Sequence, residues 1–336
     1  MTAAKPENLK IVKEFGRKEI LFSVARQPNS NRVFLGASDA KVYDLDVMAE
    51  KPEPVAMLGH ESYVTGTALA GKYLISGAYD GRLIWWDTET RQQVRAINAH
   101  TRWIRGVTAT PDGRYVLSVA DDMLCRIWDV AKGTLVRDLI GHAPRTPHHF
   151  PSMLYACNVS ADGRYAATAD RVGKSIVWDL HNGRQLATME APIMYTWDPK
   201  QRIHSIGGIR SVAFSADSQL IAVGGIGTIG NIDHLDALAR VEIFDWQKGE
   251  RVHELAGDTH KGLVERLVFH PNGDWLMAAG GDHGGFIQFY NLANGEIMKQ
   301  DKAPMHVHDV VLNESADTLY AAGHGKAVVW SLKGEA

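Results

Sequence analysis

Short alternations of apolar and polar residues, separated by turn formers, run the length of this chain, and helical periodicity is absent throughout. Tyr115-Val116-Leu117-Ser118-Val119 and Leu124-Cys125-Arg126-Ile127-Trp128 alternate with the two-residue period of half-buried strands. Pro111-Asp112-Gly113, Ala161-Asp162-Gly163 and Pro271-Asn272-Gly273 punctuate one class of connection. Lys132-Gly133, Asn182-Gly183, Lys248-Gly249 and Asn294-Gly295 punctuate a second, where glycine supplies positive φ at low steric cost. The pattern predicts units of four short antiparallel strands, a to d. The clearest unit runs from His100 to Asp129, and it recurs with decay. The aromatic residue of strand c falls at Tyr43, Trp86, Trp128, Trp178, Phe244, Tyr290 and Trp330, which makes the successive spacings 43, 42, 50, 66, 46 and 40. A period of this length signals one supersecondary unit repeated radially or linearly.

The chain ends favour a ring. After Trp330 the sequence reaches a c–d turn and stops, whereas Leu9-Lys10-Ile11-Val12-Lys13-Glu14-Phe15 looks like a strand d with no unit before it. Residues about 9–15 are therefore expected to complete the last unit, since closure removes the open edges that an unclosed array would expose. On this pattern the chain resembles the WD-repeat β-propeller family over residues 9–336, with Pro-Asp-Gly-Arg turns like those of bacterial members. The resemblance implies an all-β, seven-bladed propeller, a single domain over 9–336, and a flexible tail at 1–8. It also implies structural tetrads of His, Ser or Thr, Asp and Trp, which map in full onto His60, Ser76, Asp80 and Trp86, and onto His100, Ser118, Asp122 and Trp128. In the fourth unit His142, Thr168 and Trp178 match, and Val172 stands where the Asp is expected. Such residues read as a satisfied polar brace within each blade rather than as catalytic groups. Trp85, beside Trp86, is expected to face the other side of its sheet and pack between blades.

Composition adds exclusions. The formal net charge is −3 and there is no Lys/Arg block, so the electrostatic footprint of a nucleic-acid binder is missing. No apolar run approaches membrane-spanning length and the N-terminus lacks a signal-peptide core, which points to a cytoplasmic protein with no membrane partner. Cys125 and Cys157 fall on expected strands without a partnered spacing and read as buried free thiols. No cofactor is implied, and the ring is expected to be monomeric.

Departures from the repeat locate the candidate working surface. Trp86 to His100 and Trp128 to His142 are both 14 residues, whereas Trp178 to Ser205, which stands in the His place, is 27. Asp112 to Trp128 is 16 residues, whereas Asp217 to Phe244 is 27. In a four-stranded meander the b–c and d–a connections lie at one end, so the extra length at 143–150, 190–204, 226–237 and 281–285 gathers on one face of blades four to six. Phe150, Tyr195, Trp197, Asp198, Asn231, His234, Asp282 and His283 in these loops are candidate contacts for a protein or peptide, because aromatics on rigid loops make interface hot spots. The competing reading is that Phe150 and Trp197 pin the long loops onto the blades. On the shorter loops of the same face, Tyr63, Tyr79, Trp103 and Asp121 join the set by resemblance to the family. The expected function is a non-catalytic scaffold. The alternative is a metal-binding module or metal-dependent enzyme using loop residues such as His148, His149, His234, Asp236 and His283, since imidazole and carboxylate suit zinc.

Overall fold

A computed structural model describes residues 4–200 and 203–334 of the chain. They form a β-propeller whose only helical pieces among the described residues are the 3-10 turns Pro6–Asn8 and Pro192–Met194. No helix is long and apolar enough to cross a membrane. Five sheets have four antiparallel strands in meander order, spanning residues 64–98, 104–139, 154–190, 211–261 and 263–303. A sixth sheet has six strands, in the order Val307–Leu312, Thr318–Ser331, Lys10–Arg26, Arg32–Ala37, Lys41–Asp46 and Val55–Leu58.

The expectation of seven blades is thereby corrected to six propeller sheets. The reason lies in the strand Lys10–Arg26, which contains no turn to divide it. Its first half pairs antiparallel with Thr318–Ser331, from Lys10 opposite Ser331 to Ile20 opposite His324. Its second half pairs with Arg32–Ala37, from Leu21 opposite Ala37 to Arg26 opposite Val33. The sequence units around Tyr43 and Trp330 are therefore joined in one sheet, and the two ends of the chain are joined with them. Of residues 1–8, read from sequence as a tail, the first three lie outside the described residues. Pro6 is buried, and Lys5 donates its amide to the Leu332 carbonyl at 3.0 Å.

The core lies between neighbouring sheets. Trp85 is fully buried, donates its indole N–H to the Val130 carbonyl at 3.1 Å, and packs with Ile104, Val116 and Trp128 of the next sheet. Trp86 points to the opposite side, into a cluster with Phe34, Val64 and Leu74. Strands d carry the polar rim: Gln93–Asn98 holds no fully buried residue. Cys125 and Cys157 are free thiols, and burial pushes the Cys157 thiol up to about 12, which makes it unreactive at neutral pH.

Within the blades, hydrogen bonds run in a chain. Indole Trp128 Nε1–H donates to Ser118 Oγ at 2.9 Å, Ser118 lies 2.7 Å from His100 Nε2, and His100 Nδ1 lies 3.0 Å from Asp122. With Nδ1–H donating to the carboxylate, Nε2 accepts from the hydroxyl, so every polar atom in the chain is satisfied. His60, Ser76, Asp80 and Trp86 repeat the arrangement. In the fourth unit the reading that Val172 leaves the acid unreplaced is corrected. Asp170, two residues earlier, reaches His142 Nδ1 at 2.7 Å, while Thr168 bonds His142 Nε2 and Trp178 Nε1. The Asp170 carboxylate also accepts the amides of Val172 and Lys174, so the turn is shaped around an acid in a different register. Gly81, at φ +77°, accepts the His100 amide on its carbonyl; a Cβ there would stand 2.5 Å from the His100 carbonyl oxygen. The b–c turn thus holds the d–a loop of the following blade in place.

Burial alone would raise the Asp122 carboxyl, but the bond from His100 and two backbone amides outweigh it and hold its pKa below the usual value. A depressed carboxylate stabilises the fold above its unfolded pKa and loses that contribution as pH falls. We expect the free energy of unfolding to drop below about pH 4, and Asp122→Asn to flatten part of that drop. Chemical denaturation across a pH series measures both slopes; identical slopes for the two proteins would remove Asp122 from the account.

Candidate partner-binding face

A cavity of about 540 Å³ runs at the centre of the ring, lined by residues of the strands Lys10–Arg26, Val64–Ala70, Ile104–Ala109, Leu154–Val159, Ser211–Phe214, Leu263–Phe269 and Val307–Leu312. At one mouth of this cavity the d–a loops and b–c turns meet through a repeated backbone bond. The Tyr79 amide donates to the Tyr63 carbonyl, the Asp121 amide to the Trp103 carbonyl, and the Arg171 amide to the Met153 carbonyl, at 3.0, 3.0 and 2.9 Å. Equivalent loop positions in successive blades are thereby presented side by side.

In the first three units these positions hold rings in series. Phe22 stacks on Tyr63 at 5.6 Å between centroids, Tyr63 lies 5.6 Å from Tyr79, and Tyr79 stacks on Trp103 at 4.5 Å with the planes only 6° apart. Tyr63 is 45% exposed and Trp103 is 49% exposed, so two rings of the series face solvent, while Phe22 at its other end is half-buried. Arg105 fixes it from below. Its guanidinium makes a two-pronged bond to Asp121 at 2.8 and 2.7 Å and donates to the Tyr79 hydroxyl at 2.6 Å. It also lies 5.2 Å from the Trp103 ring and 5.5 Å from the Tyr155 ring. Burial works against the Arg105 charge, yet the Asp121 bond outweighs it and raises the pKa. Burial likewise raises Tyr79, which keeps its hydroxyl protonated as a donor and acceptor. Across the mouth, Arg210 lies 3.6 Å over the other ring partner, Tyr155.

The long-loop candidates sit elsewhere on the face and are turned mostly on one another. The 190–204 insertion, whose residues 201–202 lie outside the described set, builds a hairpin with Trp197 opposite Ser205. His148 stacks on Trp197 at 4.1 Å and bonds the Tyr195 hydroxyl at 2.9 Å, while Phe150 packs against Trp197 and His204. The Ile229 amide donates to Thr196, tying the 226–237 loop to the same hairpin. Trp197 and Phe150 are half-buried in these contacts. Asp198 accepts the Lys200 amide, and Asn231 accepts the Asp233 amide across its own turn. His234, Asp236, Asp282 and His283 line a second cavity of about 560 Å³ with Lys261. There Lys261 pairs with Asp236 at 2.5 Å and depresses its pKa, and His283 bonds Asp282 at 2.7 Å.

Of the candidate metal ligands, His148 is occupied by Trp197 and Tyr195, His149 is exposed, and His234, Asp236 and His283 share the second cavity. Among the described residues, the one set of three side chains close enough to share an ion is His306, His308 and His324. Sequence reasoning missed it, as it missed Phe22, Arg105, Tyr155 and Arg210. The available signal was His306-x-His308, two imidazoles two residues apart in the sequence.

Comparison with known proteins agrees with the repeat. Segments 52–87, 91–129 and 249–291 match the description "WD domain, G-beta repeat". These segments are WD repeats. Nuclear distribution protein PAC1-2 of Uncinocarpus reesii is 31% identical over 157 residues, which is 40% of this chain and 34% of that protein. The p21-activated protein kinase-interacting protein 1-like of Gallus gallus is 32% identical over 106 residues, 31% of this chain and 28% of that protein. Human apoptotic protease-activating factor 1 is 24% identical over 237 residues, 67% of this chain and 16% of that protein. The match thus spans about a third or less of each of these relatives.

The packing difference between the two tryptophans has a measurable consequence. Trp197→Ala removes a half-buried stacking partner and should cost about 2 kcal/mol, whereas Trp103→Ala should cost under about 1 kcal/mol. Denaturant titration of the two variants compares them directly; equal losses would show that Trp103 is held by packing as firmly as Trp197.

Proposed function

We propose that this chain is a non-catalytic platform that binds a protein or peptide segment across the face bearing the Tyr63, Tyr79 and Trp103 rings, with the loops 143–150, 190–204, 226–237 and 281–285 as its outer rim. The observation that carries this reading is the exposed ring series at the cavity mouth. Tyr63 and Trp103 face solvent, while the base of the series is locked by the Arg105–Asp121 pair. Rings held in place before contact lose little conformational entropy on binding. Tyr, Trp and Arg are also the residue types that dominate interface energies. Arg210, over Tyr155 on the same wall, favours a segment that brings a carboxylate beside an apolar or aromatic side chain. The printed name of the Gallus gallus relative describes a protein that interacts with a kinase, which fits the same class of activity. We take the platform to be without nucleic-acid partners, a reading supported by the formal net charge of −3 and the lack of a Lys/Arg block in the sequence.

Affinity capture from a cell lysate tests the proposal, with wild type set against Tyr63→Ala/Trp103→Ala. Loss of two hot-spot rings should weaken a retained partner by about 2–4 kcal/mol, enough to empty the variant column while the fold is preserved. Recovery of the same proteins in the same amounts on both columns would contradict it.

A further inference from the structure

Beside the ring series, where the last strands of the chain meet the cavity mouth, three imidazoles crowd together. His306 immediately precedes the strand Val307–Leu312 and His308 is its second residue, where the ladder bulges between Val307 and Asp309; the two rings stack with 23° between their planes. His324 comes from the adjacent strand Thr318–Ser331, and its amide donates to the His306 carbonyl at 3.0 Å. The ring centroids are 4.5 Å (His306–His308), 4.9 Å (His306–His324) and 4.8 Å (His308–His324) apart. One nitrogen of each ring lies within 4.8 Å of the other two.

We propose that His306, His308 and His324 bind a divalent transition-metal ion of the zinc class. Two observations beyond proximity carry this. First, His306 Nδ1 lies 3.0 Å from the Asp282 main-chain carbonyl. A carbonyl only accepts, so Nδ1 bears the proton and Nε2 keeps its lone pair; a ring nitrogen bonded to a carbonyl is the usual outer support of a metal-binding histidine. Second, His306 Nε2 and His308 Nε2 are buried without a hydrogen-bond partner. A buried nitrogen left unsatisfied costs about 1–3 kcal/mol, and a shared ion would satisfy both.

The geometry needs little change. Tetrahedral zinc with nitrogens at about 2.0–2.1 Å sets ligand nitrogens roughly 3.4 Å apart. His324 is exposed, while His306 and His308 are buried or half-buried just before and within the strand Val307–Leu312. The half-buried Glu265 carboxylate, 3.7 Å from His306 Nε2, supplies a negative charge beside the cation. The fourth position faces the cavity mouth that His308 lines, where water or a carboxylate of a bound segment would reach it. Nothing in this arrangement uses the loop histidines considered from sequence.

Metal-free protein titrated with zinc alone by calorimetry, and with cobalt(II) alone by visible spectroscopy, decides the matter. The wild type should bind one equivalent of either ion, with the absorption of a low-symmetry, nitrogen-rich cobalt site. His308→Ala and His324→Ala, each checked for an unchanged far-ultraviolet spectrum, should weaken binding at least tenfold, and His149→Ala should leave it intact. Absence of stoichiometric binding by wild type overturns the proposal, as does binding of equal strength by a folded His308→Ala/His324→Ala double variant. Should His308→Ala fail to fold, His324→Ala alone carries the test, because that ring is exposed.

Discussion

The strand Lys10–Arg26 is the constraint on which the rest of the molecule depends. By pairing its first half with Thr318–Ser331 and its second with Arg32–Ala37, it joins residues from both ends of the chain in one sheet. A closed ring of sheets leaves only short outer edges, here on polar strands d such as Gln93–Asn98, and each sheet is buried on both sides only when the ring is closed. Closure also sets the radius at which the inner strands stand. That places Arg105, Tyr155 and His308, from three different sheets, and Arg210, just before the strand Ser211–Phe214 of a fourth, around a single cavity.

The local chemistry of each blade serves that geometry. A His between a carboxylate and a hydroxyl, with an indole donating to the same hydroxyl, is a fully satisfied network in three successive units. It resembles a reactive triad only in its residue types. The network anchors the d–a loop to the b–c turn, and those are the segments that carry Tyr63, Tyr79, Trp103 and Asp121. Fold and candidate site are therefore linked through the same hydrogen bonds.

Much of this was legible in the sequence because strand alternation, turn formers and the strand-c aromatic are local signals. The closing strand was readable from Leu9 to Phe15, since those residues match a strand d. Its fusion into a single strand through Arg26 was not, because no residue in that run marks where one unit stops. Asp170 escaped because the acid was sought at a fixed spacing, and the turn accepts it two residues earlier. The long loops show the limit most clearly. Their length identified a face, and their aromatics suggested contacts, but Trp197 finds His148, a residue of the loop 143–150, and no periodicity reports a contact between two insertions. Conversely, Trp103 on its short loop entered the candidate set only by resemblance to the family, and the stack with Tyr79 above Arg105 is what makes it prominent.

Function on this view follows from a difference between two groups of rings on one face. One group is spent on holding insertions together; the other is held from beneath and left open to solvent. Amide hydrogen exchange on the chain with and without its captured partner tests this most directly. Binding across the ring-bearing face slows exchange at residues 61–66, 79–82 and 101–106, around Tyr63, Tyr79 and Trp103, and leaves the turns at 131–134 and 181–184 on the opposite face unchanged. Slowed exchange at those opposite turns, with the ring-bearing loops unaltered, would contradict it.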